Sequence, residues 1–114
     1  MAEKNLLIQV ETHDKYTLVM PVGDIDLSKS SELRGVFQQI LTNTPPKIVV
    51  DLDAVSYMDS SGVATLIEAL QLSKRADNEF ALCCLSSGVR SIIELARLDL
   101  IFDIHQTREE AIGT

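Results

Sequence analysis

The sequence predicts an α/β fold: a mainly parallel sheet of about five strands, opened by an N-terminal hairpin and packed with about four helices. Three observations predict it. Short β-rich runs alternate with segments whose apolar residues recur at helical spacing. Ile48-Val49-Val50 is β-branched and apolar on both faces, as a central strand covered on each side must be. Finally, 114 residues that are 46% hydrophobic suit one core and one domain, 1–114, with no room for a second.

Leu6, Ile8 and Val10 alternate with Leu7, Gln9 and Glu11, and a second β-rich run follows from Tyr16 to Val22. With the polar Thr12-His13-Asp14-Lys15 between them, the two runs read as a hairpin. Gly23-Asp24-Ile25-Asp26 breaks the pattern. Leu33, Val36, Phe37, Ile40 and Leu41 then mark a helix over 28–42, for which Ser28 or Ser30 is the expected N-cap. Asn43-Thr44-Pro45-Pro46 ends it, because proline cannot continue a helix and forces its predecessor out of helical geometry.

After the central strand, Asp51 and Asp53 read as its polar end. Val63, Leu66, Ile67 and Leu70 form the stripe of a second helix that begins at Asp59-Ser60-Ser61-Gly62 and runs to about Arg75. Phe80 to Leu85 is a further apolar strand. Val89, Ile92, Ile93 and Ala96 give a third helical stripe, Leu100 to Ile104 a last short strand, and Thr107-Arg108-Glu109-Glu110 a capping box opening a final short helix.

No apolar run approaches the roughly 18 to 20 residues needed to span a bilayer, and Met1-Ala2-Glu3-Lys4-Asn5 has no secretory pattern. A cytoplasmic protein without membrane attachment is expected. With 17 acidic and 10 basic residues, the net charge of -7 opposes direct binding to nucleic acid and favours a basic partner. Cys83 and Cys84 are adjacent in a strand-like segment, where neighbours point to opposite faces. They read as buried, reduced thiols rather than a redox or metal pair.

In parallel α/β sheets, functional groups gather where strand ends meet helix starts. Two polar turns occupy such positions, Gly23-Asp24-Ile25-Asp26 and Asp59-Ser60-Ser61-Gly62. Ser60 falls at or next to an N-cap. Spacing alone is accounted for by capping, since serine caps helices, aspartate complements the helix dipole, and glycine in a turn needs no function.

Read whole, Val55-Ser56-Tyr57-Met58-Asp59-Ser60-Ser61-Gly62-Val63, with the small Ala64 after it, resembles the phosphoacceptor segment of STAS-domain anti-sigma factor antagonists. The turn from Gly23 to Asp26 is similar to that family's turn after its second strand, and the apolar blocks follow in the same order. The resemblance implies that Ser60 is the phosphoacceptor, with Ser61 as rival, and that Asp24, Asp26, Asp59, Ser60, Ser61 and Gly62 belong to the partner-binding surface. It further implies partner switching. The unmodified protein would bind an anti-sigma factor that is itself a serine kinase, freeing the sigma factor; phosphorylation would end binding, and a serine phosphatase would restore it. The same fold also serves as a subunit of lipid-transport or stress-signalling complexes, an alternative that the resemblance leaves open.

Catalysis by the chain itself is not expected. His13 reads as a solvated turn residue and His105 as a strand-end residue, no Gly-x-Ser-x-Gly elbow surrounds Ser60, and two histidines supply no zinc-ligand spacing. A phosphoaspartate receiver would need an acidic pair after its first strand and a late lysine, and no lysine follows Lys74. Gly-x-x-x-x-Gly-Lys and Gly-x-Gly-x-x-Gly are absent, so no cofactor is expected and ATP belongs to the partner.

Overall fold

The computed structural model describes residues 7–113. Leu6 and the start of the chain, on which part of the hairpin and the leader reading rest, lie outside the described residues. Five strands, β1 (Leu7–Thr12), β2 (Thr17–Val22), β3 (Lys47–Asp51), β4 (Glu79–Cys83) and β5 (Asp103–His105), form one sheet in the order β1-β2-β3-β4-β5. β1 pairs antiparallel with β2, and every later pairing is parallel. The helices α1 (Leu27–Thr42), α2 (Ser60–Arg75), α3 (Ser87–Leu95) and α4 (Arg108–Ile112) alternate with the strands after the hairpin. The expected α/β architecture is the observed one.

Strand alternation divides the interior between the two sheet faces. Val19, Ile48, Val50, Phe80 and Leu82 point into a large core with Leu33 and Phe37 of α1, Leu66 and Leu70 of α2, and Val89 and Ile93 of α3. Phe80 joins the layers through edge and tilted contacts to Phe37 and Phe102, with ring centroids 5.8 and 6.3 Å apart. Leu18, Val49, Ala81 and Cys83 face the other way, against Ala111 of the short α4. The two faces are therefore covered unequally. Both predicted stripes are inward: Leu33, Phe37, Ile40, Val63, Leu66 and Leu70 are buried, with Val36 and Ile67 at the margin.

Three local expectations are corrected. Asp26, not Ser28 or Ser30, caps α1, because its carboxylate accepts from both the Ser28 amide (3.1 Å) and the Ser28 hydroxyl (2.7 Å). The last strand starts at Asp103 rather than Leu100. Arg97 is left-handed (φ 61°) and turns the chain into a 3₁₀ segment, Leu98–Leu100, so that Leu100 is 71% exposed while Phe102 enters the core. In the final cap, Thr107 accepts from the Glu110 amide as expected, but Glu110 Oε1 reaches back to the amide of Gln106 instead of closing on Thr107. The histidines lie where expected, His13 exposed in the hairpin turn against Tyr16 and His105 in β5 beside Asp103.

Candidate functional site

Two turns meet at the ends of β2 and β3. Ile25 forms an isolated parallel bridge with Met58, the Ile25 amide donates to the Tyr57 carbonyl (3.0 Å), and the Asp59 amide donates to the Ile25 carbonyl (3.1 Å). Ile25 and Met58 are fully buried, so each turn anchors the other through apolar packing as well as backbone bonds. Gly62 lies in the seam. A Cβ there would come within 2.9 Å of Ile25 Cγ2 and 3.3 Å of Met58 Cβ, which leaves no space for a side chain.

This arrangement brings the amino ends of α1 and α2 together, and Asp59 links them. Its Oδ1 accepts from the Ser61 hydroxyl (2.6 Å), the Ser61 amide (2.9 Å) and the Gly62 amide (3.3 Å), while its Oδ2 accepts from the Leu27 amide (3.1 Å) at the start of α1. One carboxylate thus satisfies free amides of two helices. Asp24 accepts from the Ser56 hydroxyl (3.0 Å), which fastens the first turn to the loop before α2.

The two adjacent serines differ sharply. Ser61 is half-buried, and its hydroxyl is committed to Asp59. Ser60, the first residue of α2, is exposed, and among the described residues its hydroxyl has no hydrogen-bond partner. Beside it opens a shallow, largely apolar groove of about 470 Å³ lined by Tyr57, Ser60, Val63, Ile92 and Ala96. Tyr57 is half exposed at its rim. The site therefore offers a free hydroxyl, two helix amino ends and an apolar surface; Asp24, Asp26, Asp59, Ser60 and Ser61 are grouped there, whereas Gly62, expected on the partner-binding surface, is buried in the seam beneath them.

The capping carboxylates titrate below the ordinary aspartate value of 3.8. The Ser28 hydroxyl is the main cause for Asp26 and the Ser61 hydroxyl for Asp59, backbone amides adding to both and partial burial opposing. A depressed folded-state pKa gives stability that is fully present above the unfolded value and is lost as pH falls through the folded one. Thermal midpoints should therefore drop on acidification below about pH 4. An Asp26→Asn/Asp59→Asn variant, melted across the same interval, should show a smaller drop; equal slopes would remove the caps from the acid response.

Two features were not anticipated. Ser86 caps α3 by accepting from the Val89 amide (3.3 Å), and its hydroxyl donates to the Val55 carbonyl (2.8 Å), so α3 holds the loop that leads to Ser60. Ser86-Ser87-Gly88 ahead of the apolar stripe was the available signal. Asp51, 6% exposed, pairs with Arg108 through Nε (3.0 Å) and Nη2 (2.8 Å), a contact across 57 residues that no local pattern announces.

Fold and site together define a small α/β domain that presents one serine at a helix amino end. The chain belongs to the STAS domain family, whose model matches residues 8–111. It is 28% identical over 105 residues to the anti-sigma-B factor antagonist of Staphylococcus aureus, covering 92% of this chain and 97% of that one. The anti-sigma F factor antagonist of Paenibacillus polymyxa is 25% identical over 109 residues, covering 95% and 93%. Among solved structures, an anti-sigma factor antagonist from Mycobacterium paratuberculosis superposes with a TM-score of 0.86 at 28% identity, over 94% of this chain and 91% of that one. Among the described residues, no helix is long and apolar enough to cross a membrane.

Proposed function

We propose that this protein is an anti-sigma factor antagonist whose binding to its anti-sigma factor is switched off by phosphorylation of Ser60. The observation that carries this reading is the contrast between the two serines: Ser60 exposed with a free hydroxyl, Ser61 turned inward onto Asp59. A kinase must bring a nucleophilic oxygen into line with the γ-phosphorus of ATP, which the Ser60 hydroxyl can do directly, whereas that of Ser61 would first have to leave Asp59. In that step the Ser60 oxygen bonds to phosphorus, the bond to ADP breaks, and the hydroxyl proton passes to a base of the kinase. The names of the relatives supply the partner class, and the groove beside Ser60 supplies a surface for it.

On this reading the anti-sigma factor is the serine kinase, a serine phosphatase resets the switch, and the protein itself is a cytoplasmic regulatory binding protein, a substrate of both without catalytic residues of its own. Phosphate on Ser60 adds about -1.5 to -2 charges at the amino end of α2, where helix amides tolerate an anion, so the fold survives and the surface changes.

Incubation with the cognate anti-sigma factor and ATP, followed by peptide mass spectrometry, should place phosphate on Ser60. Ser60→Ala should accept none and keep binding the anti-sigma factor. Phosphate on Ser61, or loss of binding in Ser60→Ala, would overturn the assignment.

A further inference from the structure

The end of β4 departs from strand alternation. Cys83 closes the strand, facing the smaller core, and Cys84 follows with φ 61°, in the left-handed region that non-glycine residues seldom occupy. The backbone is held there by the Cys84 amide donating to the His105 carbonyl (3.2 Å) and the Leu52 amide donating to the Cys83 carbonyl (3.0 Å). Cys84 consequently packs beside the same smaller core as Cys83 instead of pointing to the opposite face. Parallel pairing sets Asp51 of β3 opposite Cys83. Both sulfur atoms and a carboxylate oxygen of Asp51 lie within 4.8 Å of one another. Both cysteines are free thiols, Cys83 buried and Cys84 half-buried.

We propose that Cys83, Cys84 and Asp51 form a binding site for a soft divalent cation of the zinc class, with water completing four-coordination. Thiolate ligands select zinc or cadmium over magnesium and calcium, which prefer all-oxygen sites. Two sulfurs each about 2.3 Å from one tetrahedral ion stand about 3.8 Å apart, so a cluster whose ligand atoms lie within 4.8 Å of one another would close by at most about 1 Å between its sulfurs. Charge closes as well. Two thiolates and a carboxylate around a divalent ion sum to -1, and the Arg108 guanidinium on Asp51 Oδ2 brings the group to neutrality. Arg108, donating to Oδ2, then fixes the orientation of the ligating carboxylate, while the other oxygen, Oδ1, accepts from the Asp53 amide (3.0 Å). Coordination exchanges each thiol proton for the metal and releases it to solvent. Asp51 and Arg108, though neither cysteine, line a small groove open to solvent, so an ion would approach from the carboxylate side. This site lies apart from Ser60 and does not depend on its reading.

The test is titration of the fully reduced protein with cadmium, following the sulfur-to-cadmium charge-transfer band, and with zinc in competition with a chromophoric chelator. One equivalent should bind. Cys84→Ser, a small change at a half-buried position, should weaken zinc binding by at least the 10- to 100-fold typical of losing a group that merely orients a ligand, and should reduce the cadmium band. Asp51→Asn, with its fold checked by circular dichroism, should weaken zinc about tenfold and keep the band. Absence of the band in the wild type, or a band and affinity unchanged in Cys84→Ser, would overturn the site. Unchanged affinity in a folded Asp51→Asn would overturn the three-ligand assignment.

Discussion

Ser60→Asp is expected to weaken binding to the anti-sigma factor about tenfold or more while leaving the thermal midpoint unchanged or slightly raised, two effects of opposite sense from one substitution. The stability side follows from position. Ser60 is the first residue of α2, exposed, with no hydrogen bond of its own to lose among the described residues. A carboxylate in the first turn of a helix is favoured by about 0.3–1 kcal/mol, which offsets repulsion from the neighbouring Asp59. The binding side follows from desolvation. Repulsion between residue 60 and Asp59 exists in the free protein and in the complex alike, so it cannot by itself oppose docking. Docking over the apolar groove, however, would strip water from any charge at position 60, at a cost of several kcal/mol for an unpaired ion. Aspartate carries roughly half the charge of phosphoserine and lies closer to the helix, so its loss should be smaller than that of the phosphorylated protein. Isothermal titration with the anti-sigma factor, alongside thermal melts, checks both. Undiminished binding would mean that residue 60 stays in water in the complex and that phosphate acts elsewhere. A large drop in the thermal midpoint would mean that the effect is unfolding rather than switching.

The sequence carried the architecture because each element announces itself within a few residues. Ile48-Val49-Val50 can satisfy its apolar side chains only between layers, and the four-residue spacing of Leu33, Phe37 and Leu66, Leu70 leaves one buried face for each long helix. The site was legible only in part. Asp59-Ser60-Ser61-Gly62 marks a helix start on local grounds, yet residue types alone do not say whether aspartate or serine is the cap, and the two serines are told apart only once that is known. That distinction comes from Asp59, which captures the Ser61 hydroxyl and leaves Ser60 free. The turn at Ile25 enters the site through the bridge to Met58, a contact between distant segments. Cys84 was misjudged for a different reason. Strand alternation was applied one residue past the last paired position, and the left-handed backbone there brings its sulfur beside that of Cys83. Asp51 with Arg108 is the plainest limit of local reading, because charge pairing across the sheet depends on register and α4 docking, neither of which has a local signature.

Gly88→Ala is expected to lower stability by about 1–2 kcal/mol although alanine is the better helix former. Gly88 sits in the first turn of α3, and a Cβ built there meets the Ser56 carbonyl oxygen at 2.6 Å, a backbone atom with no rotamer through which to retreat. The loop that carries Ser56 is held on three sides: Gly23 donates to the Ala54 carbonyl (3.0 Å), Ser86 to the Val55 carbonyl (2.8 Å) and Ile25 to the Tyr57 carbonyl (3.0 Å). Relief of the clash therefore requires either the loop or α3 to move, at a cost of about 1–3 kcal/mol for an overpacked position. Replacing helical glycine with alanine returns at most about 0.8–1 kcal/mol, and less in the first turn than in a helix interior. The balance is unfavourable. For a domain of this size it corresponds to a fall of roughly 4–8 °C in the thermal midpoint. Because Ile92 of α3 lines the groove beside Ser60 together with Tyr57, a displaced α3 should also weaken the anti-sigma factor complex. Weaker binding with an unchanged rate of Ser60 phosphorylation by a kinase taken to saturation would localise the effect to the groove. A midpoint equal to or above that of the wild type would show that α3 yields freely, and that its close approach to the Ser56 carbonyl does not hold the loop before Ser60.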